Sequence, residues 1–78
     1  MAVKNRLTVL MGEKQAATNQ IITASVVARE TGLTRQAVSK WVRGEVTEFR
    51  GEIVEKLCNY FGCEVGDLLY IDRSEPAQ

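Results

Sequence analysis

The stretch TGLTRQAVSKWVRG, from Thr31 to Gly44, decides the fold of this chain. After a first glycine comes a threonine, and then nine residues without glycine or proline that end at a second glycine. Threonine is a favoured N-cap, and glycine can take the left-handed conformation that ends a helix. The pattern therefore predicts a helix over residues 35–43, with Val38 and Trp41 on its inner face and long polar side chains on the other.

A second predicted helix lies directly before this one. Thr23 is suited to be its N-cap, and Gly32 closes it without the cost that a Cβ would add. The link between the two helices is so short that they must cross sharply, as they do in a helix-turn-helix. Small Ala28 lets the following helix come close. The shared core is expected to consist of Val27, Val38 and Trp41.

Apolar residues at helical spacing predict three more helices, over residues 4–16, 51–61 and 65–70. In the first, the segment LTVLM at residues 7–11 would also pass as a strand. Loops are expected over residues 17–20 and 45–50. The fold class predicted from these elements is all-α, with five helices and a central helix-turn-helix.

The 78 residues suffice for one small domain, which we expect to span residues 1–78 with an ordered core over about 4–71 and a flexible tail over 72–78. Hydrophobic residues make up 45% and charged residues 26%, as in ordinary soluble domains. No apolar run approaches the ~20 residues that span a bilayer, and no signal-peptide layout is visible. We therefore expect a cytoplasmic protein with no membrane partner.

The formal net charge of zero conceals two oppositely charged halves. Up to Arg43 there are seven basic and two acidic residues, a net charge of +5, and from Gly44 onward there are three basic and eight acidic residues, a net charge of −5. A divided field is compatible with a polyanionic partner even when the total is neutral. We expect the acidic residues within 45–55 to form a solvated face that points away from such a partner.

Cys58 and Cys63 are the two cysteines, and the chain has no histidine. Their spacing is not CxxC, and a zinc site would need carboxylates as its remaining ligands. A disulfide is the alternative to our interpretation, which is two reduced thiols in or near the core. No metal site and no cofactor are predicted. An enzyme is disfavoured because there is no histidine for acid–base work and no glycine-rich phosphate loop, so no catalytic residue is predicted.

The segment TASVVARETGLTRQAVSKWVRG, residues 23–44, resembles the helix-turn-helix of the lambda-repressor-like, or Xre, family of DNA-binding domains. The later EIVEKLCNYFGCEVGDLL, residues 52–69, is similar to the two C-terminal helices of the same five-helix domain. The resemblance covers roughly residues 4–71. Two features depart from the family pattern: residues 12–22 look longer than the usual connection, and Ala24 stands where many members carry a glutamine that contacts phosphate or base.

The resemblance implies that the third helix enters the major groove of double-stranded DNA. Arginine can pair in bidentate fashion with guanine, and glutamine with adenine. The competing interpretation of these side chains is an ordinary solvated helix face. Base contacts are assigned to Arg35, Gln36, Ser39 and Lys40, and phosphate contacts to Thr23, Thr34 and Arg43.

The function that this implies is a sequence-specific transcriptional regulator that acts by occupying an operator. One domain covers one half-site, so a homodimer on a pseudo-palindrome is expected. Its contact surface is expected at residues 69–71 or at the apolar N-terminal residues. The alternative is a protein-interaction module, antitoxin-like or an adaptor, with a protein partner; the acidic second half and Ala24 favour this alternative.

Overall fold

The computed structural model describes residues 2–73, which contain five helices and two short strands. The five predicted helices are present, and the chain is mostly helical. The strands were not predicted; they pair as an antiparallel two-stranded sheet. The elements are β1 (Ala2–Asn5), α1 (Leu7–Thr18), α2 (Ala24–Thr31), α3 (Arg35–Arg43), α4 (Gly51–Phe61), α5 (Val65–Leu68) and β2 (Leu69–Asp72).

The first helix begins at Leu7 rather than at residue 4, so the predicted start was wrong. The side chain of Asn5 is the local cause, because its Oδ1 accepts a hydrogen bond of 3.0 Å from the backbone N–H of Leu7 and holds the preceding backbone outside the helix. Val3, whose spacing from Leu7 would fit a helix face, lies in β1. The helix also runs two residues into the predicted loop, to Thr18, where Asn19 in the left-handed conformation ends it.

The fifth helix ends at Leu68, two residues earlier than predicted. The backbone N–H of Leu69 donates its last helical bond to Val65, and the chain then pairs with β1. Asp72, predicted to begin a flexible tail, lies in β2 and forms an ion pair of 3.2 Å with Lys4. The remainder of the predicted tail from residue 74 onward lies outside the described residues.

The core forms where α2 and α3 cross and α1, α4 and α5 close over them. Val27, Val38 and Trp41 are buried as predicted, together with Leu7, Leu57 and Leu68. The ring of Trp41 meets that of Phe49 edge to face, with centroids 5.5 Å apart. Because Ala28 is small and buried, α3 can approach α2 at this point.

Gly32 makes the turn between α2 and α3, with φ of 78°. A Cβ there would meet no neighbouring atom, so the cost of any other residue comes from the left-handed backbone alone. We expect Gly32→Ala to lower the free energy of unfolding by about 1–2 kcal/mol in urea denaturation.

Gly12→Ala is the matched control, since Gly12 lies inside α1 and also has open space around its Cα. Alanine is the better helix former by about 1 kcal/mol, so this control should raise stability. Changes of the same sign at both positions would contradict the account of the turn.

Cys58 is buried and Cys63 half-buried, and both are free thiols, as expected for cysteines in or near the core. Burial, followed by the neighbouring Cys58, raises the pKa of the Cys63 thiol to about 11. At neutral pH this thiol is therefore protonated and a poor nucleophile.

No helix within residues 2–73 combines the length and the apolar character needed to cross a membrane. Within the same stretch, no three or more side chains of the histidine, cysteine, aspartate or glutamate type lie together as ligands for a metal ion.

Candidate nucleic-acid interface

Threonine side chains start both helices of the helix-turn-helix. Thr34 Oγ1 accepts a hydrogen bond of 3.1 Å from the backbone N–H of Ala37, and Thr23 Oγ1 accepts one of 3.2 Å from that of Val26. Both N-caps were predicted and are confirmed. Capping uses only a lone pair of each hydroxyl oxygen, so the hydroxyl hydrogen can still be donated to a further acceptor.

Helix α3 separates its apolar and polar side chains sharply. Val38 and Trp41 face the core, and the opposite side carries exposed basic and amide groups. Five of these residues line one shallow, open depression, which we call the α3 surface. It consists of Arg35, Gln36, Ser39, Lys40 and Arg43. The α3 surface thus holds three cations, one amide and one hydroxyl, and no carboxylate.

The cations of the α3 surface differ in how far they are already paired. Neither Arg35 nor Lys40 makes an ion pair with another side chain of residues 2–73. Arg43 does: its Nε lies 3.1 Å from Oε1 of Glu45, and both side chains are more than half exposed. Two of the three charges are therefore available to an incoming anion without breaking an ion pair.

Glu45 lies beside the basic helix α3, although the acidic residues within 45–55 were expected to form a solvated face directed away from a polyanionic partner. The left-handed backbone of Gly44 turns the chain back on itself, so the N–H of Glu45 donates to the carbonyl of Lys40 at 3.0 Å. Its carboxylate consequently lies at the C-terminal end of α3, beside Arg43. Sequence reasoning missed this contact because counting charges does not show where a left-handed turn sends the next side chain.

The start of α2 carries fewer long polar side chains than the start of α3. Thr34 immediately precedes the α3 surface, whereas Thr23 lies at the N-terminal end of α2; neither threonine lines the depression itself. Ala24 is half-buried and packs against the core. At this position the chain offers no long polar side chain, only the threonine hydroxyl and backbone groups beside it.

Asn5 supports the far end of α3 and was not identified from the sequence. Its Nδ2 donates a hydrogen bond of 3.1 Å to the carbonyl of Trp41, while its Oδ1 accepts from Leu7. One side chain thus joins β1, the start of α1 and the last turn of α3. Asparagine ahead of an apolar run is a helix-start signal, but the bond to Trp41 spans 36 residues and no local pattern shows it.

A family model described as Cro/C1-type HTH DNA-binding domain matches residues 6–73. This range includes all five helices and the whole α3 surface. No curated protein and no solved structure matches the chain.

Proposed function

Because the chain belongs to the Cro/C1-type helix-turn-helix DNA-binding domains, we propose that it is a sequence-specific transcriptional regulator that occupies an operator in double-stranded DNA. The observation that carries the proposal is the α3 surface, where exposed cations and a glutamine share one face and no carboxylate lines the depression. Such side chains on the solvent-facing side of a helix can reach base edges and phosphates together.

In this proposal α3 lies in the major groove with its N-terminal residues toward the bases. Arg35 pairs with O6 and N7 of a guanine, and Gln36 with N6 and N7 of an adenine. Ser39 donates to or accepts from a base edge, since its hydroxyl can do either. Lys40 reaches a base or a phosphate from the next turn of the helix.

Phosphate contacts position the domain on the duplex. The hydroxyls of Thr34 and Thr23 donate to phosphate oxygens, beside the N-terminal backbone amides of α3 and α2, whose helix dipoles favour an anion there. Arg43 holds a phosphate at the other end of α3. To do so it exchanges the carboxylate of Glu45 for the phosphate.

The regulator acts by occupancy, without catalysis, because a protein seated in the groove excludes others from the same DNA. Each chain has one α3 and therefore reads one half-site. We propose a homodimer on a pseudo-palindrome, with half-sites about one helical turn, or ~34 Å, apart.

Titration of duplex DNA with the protein over a range of salt concentrations tests this function. We expect fragments from the protein's own locus to be shifted in gels, with the logarithm of the affinity falling linearly with the logarithm of salt concentration. No shift at any low-salt condition, by protein with a helical circular dichroism spectrum, would contradict the proposal.

Removing the carboxylate of Glu45 is expected to strengthen DNA binding. Glu45→Gln frees Arg43 and takes a negative charge away from the DNA-facing end of α3, while the exposed pair that is lost contributes only about 0–1 kcal/mol to stability. We expect Kd to fall roughly two- to fivefold at low salt, with a smaller effect at high salt. Fluorescence anisotropy with a labelled duplex measures the change.

Glu55→Gln is the matched control, with the same change of charge on α4, in a depression that contains no residue of α3. It should leave Kd almost unchanged. Equal gains from both variants would show that net charge, rather than the position of Glu45, governs the affinity.

The second candidate function is a protein-interaction module on the same fold. Two observations favour it: Ala24 packs against the core where a DNA contact is usual, and Glu45 already occupies Arg43. A stoichiometric protein partner that is retained after Arg35 and Lys40 are both changed to alanine would support this function. Loss of that partner with the double change would argue against it.

A further inference from the structure

The two-stranded sheet carries an apolar pair that the rest of the described chain leaves about half exposed. Val3 and Ile71 lie directly opposite each other in the register of β1 and β2, so both side chains are on the same face. Val3 is 49% exposed and Ile71 46%. A two-stranded sheet is marginal alone, and these two side chains contribute little to it while they remain in water.

The backbone groups on the outer edge of β1 form no hydrogen bond with any other group of residues 2–73. The N–H of Arg6 donates to the carbonyl of Leu68 at 2.7 Å, in the same register as the strands. Residues of an antiparallel strand direct their N–H and C=O alternately toward and away from the paired strand. The backbone N–H and C=O groups of residues 2, 4 and 6 therefore point toward β2, and those of Val3 and Asn5 point outward. Such an edge is a template for another strand.

The outer edge of β2 is a poorer template. By the same alternation, Leu69 and Ile71 direct their backbone groups outward. The N–H of Leu69 already donates to the carbonyl oxygen of Val65, in the hydrogen bond that ends α5. One of the donors that edge pairing needs is thus in use, whereas the hydrogen bonds of the described chain leave the outward groups of β1 available.

We propose that β1 is the dimer contact of this protein, pairing antiparallel with β1 of a second copy so that Val3 lies opposite Val3. The inference rests on the proposed function, which requires a twofold-related pair of α3 helices. The result is a four-stranded sheet. In its central row the side chains run Ile71, Val3, Val3 and Ile71 across the two copies, and four half-exposed apolar groups cover one another.

The charges of β1 fit this twofold arrangement. With Val3 on the axis, Lys4 faces position 2 of the second copy rather than another Lys4, so no two like charges are opposed. The strand neighbour of position 2 is Asp72, which already pairs with Lys4 within one copy. The two lysines thus stay beside carboxylates, and the self-association is electrostatically neutral.

The contact is also placed to fix the distance between the two reading helices. Asn5 in β1 donates to the carbonyl of Trp41 in the last turn of α3. A twofold axis through Val3 therefore lies on the side of the C-terminal end of each α3, and the strand pairing sets how the two helices are related.

A four-residue strand buries less than the ~800 Å² per partner of a standard stable interface. We expect a weak dimer in solution that is completed on DNA with two half-sites. Linkage through a shared duplex raises the effective concentration of the second copy, which can strengthen binding roughly 100-fold over a single half-site.

Charge-swapped variants at the axis test the register directly. Val3→Lys and Val3→Asp each place two like charges opposite each other, and an equimolar mixture of the two places opposite charges there. Sedimentation equilibrium should show association for the wild type, none for either variant alone, and heterodimers in the mixture.

The second measurement is binding to a duplex that carries the motif selected from a random pool, with either one or two half-sites. Each variant alone should keep single-half-site affinity and lose the roughly 100-fold gain on two.

Ile71→Lys controls for the loss of an apolar side chain, since it changes the same row one strand away from the axis. Val3→Pro removes the outward N–H but no bond of the β1–β2 pairing, as proline tolerates an edge position. The Val3→Pro variant should abolish association, whereas Ile71→Lys should only weaken it. Association of Val3→Lys equal to wild type, or a mixture that fails to associate, would overturn the proposed contact.

The two proposals fail in different ways. If wild-type protein binds a single half-site but does not associate through β1, only the dimer contact is wrong. If it binds no duplex at all, the proposed function is wrong, and sedimentation equilibrium of the charge-swapped pair still decides the contact.

Discussion

Arg35→Ala is expected to weaken binding to the operator by about 1–3 kcal/mol, or roughly 5- to 150-fold in Kd. The side chain stands at the start of α3, is exposed, and has no ion-pair partner among residues 2–73, so its guanidinium is available for a bidentate pair with guanine. Titrations on the operator and on duplexes with one guanine changed at a time measure the effect. The variant should lose its preference at one base position.

Arg29→Ala provides the control for charge. Arg29 is exposed on α2, pairs with Glu30 at 3.4 Å, and lies outside the α3 surface. Its replacement should change Kd little. If Arg35→Ala weakened binding equally on every sequence, Arg35 would be a phosphate contact, and the assignment to base reading would be wrong.

Trp41→Ala is expected to lower the free energy of unfolding by about 3–5 kcal/mol. Only 3% of Trp41 is exposed, and its ring packs between the helices and meets the ring of Phe49 edge to face. Small domains have a total stability of roughly 5–15 kcal/mol, so this single change removes a large part of it. Urea denaturation followed by circular dichroism measures the loss, because the variant lacks tryptophan fluorescence.

Trp41→Phe is the conservative control and should cost clearly less, since it keeps an aromatic ring in the core. The competing role for Trp41 is a platform on which bases stack. A Trp41→Ala protein that unfolds like the wild type but fails to bind DNA would establish that role and contradict the core assignment.

The helix-turn-helix could be predicted closely from the sequence because its determinants are local. Thr23 and Thr34 cap helices a few residues away, and Gly32 and Gly44 end them through their own backbone conformations. The predicted bounds of α3 agree with the structure. The inward positions of Val38 and Trp41 followed from spacing on the same helix.

The chain ends could not be predicted in the same way because their structure depends on each other. β1 pairs with β2, and Val3 lies opposite Ile71 near the other end of the sequence. Val3 and Leu7 are four residues apart, a spacing that fits a helix face as well as a strand followed by a helix. Only the long-range pairing decides between them, and no periodicity within either segment records it.

The sequence predicted which side chains share the exposed face of α3, but not which other residues contact that helix. The spacing of Arg35, Gln36 and Lys40 placed them on one exposed side of α3, which the structure confirms. Glu45 beside Arg43 and the support of α3 by Asn5 depend on a turn and on a distant contact. Which bases or phosphates these side chains touch stays a prediction.

Selection of bound duplexes from a random DNA pool tests most directly whether α3 reads sequence. At low salt the folded wild-type protein should enrich a defined motif, arranged as two inverted half-sites, and Arg35→Ala protein should enrich a motif that is degenerate at one position of each half-site. A pool that remains random after repeated rounds with folded protein would contradict the account of this domain as a base-reading regulator.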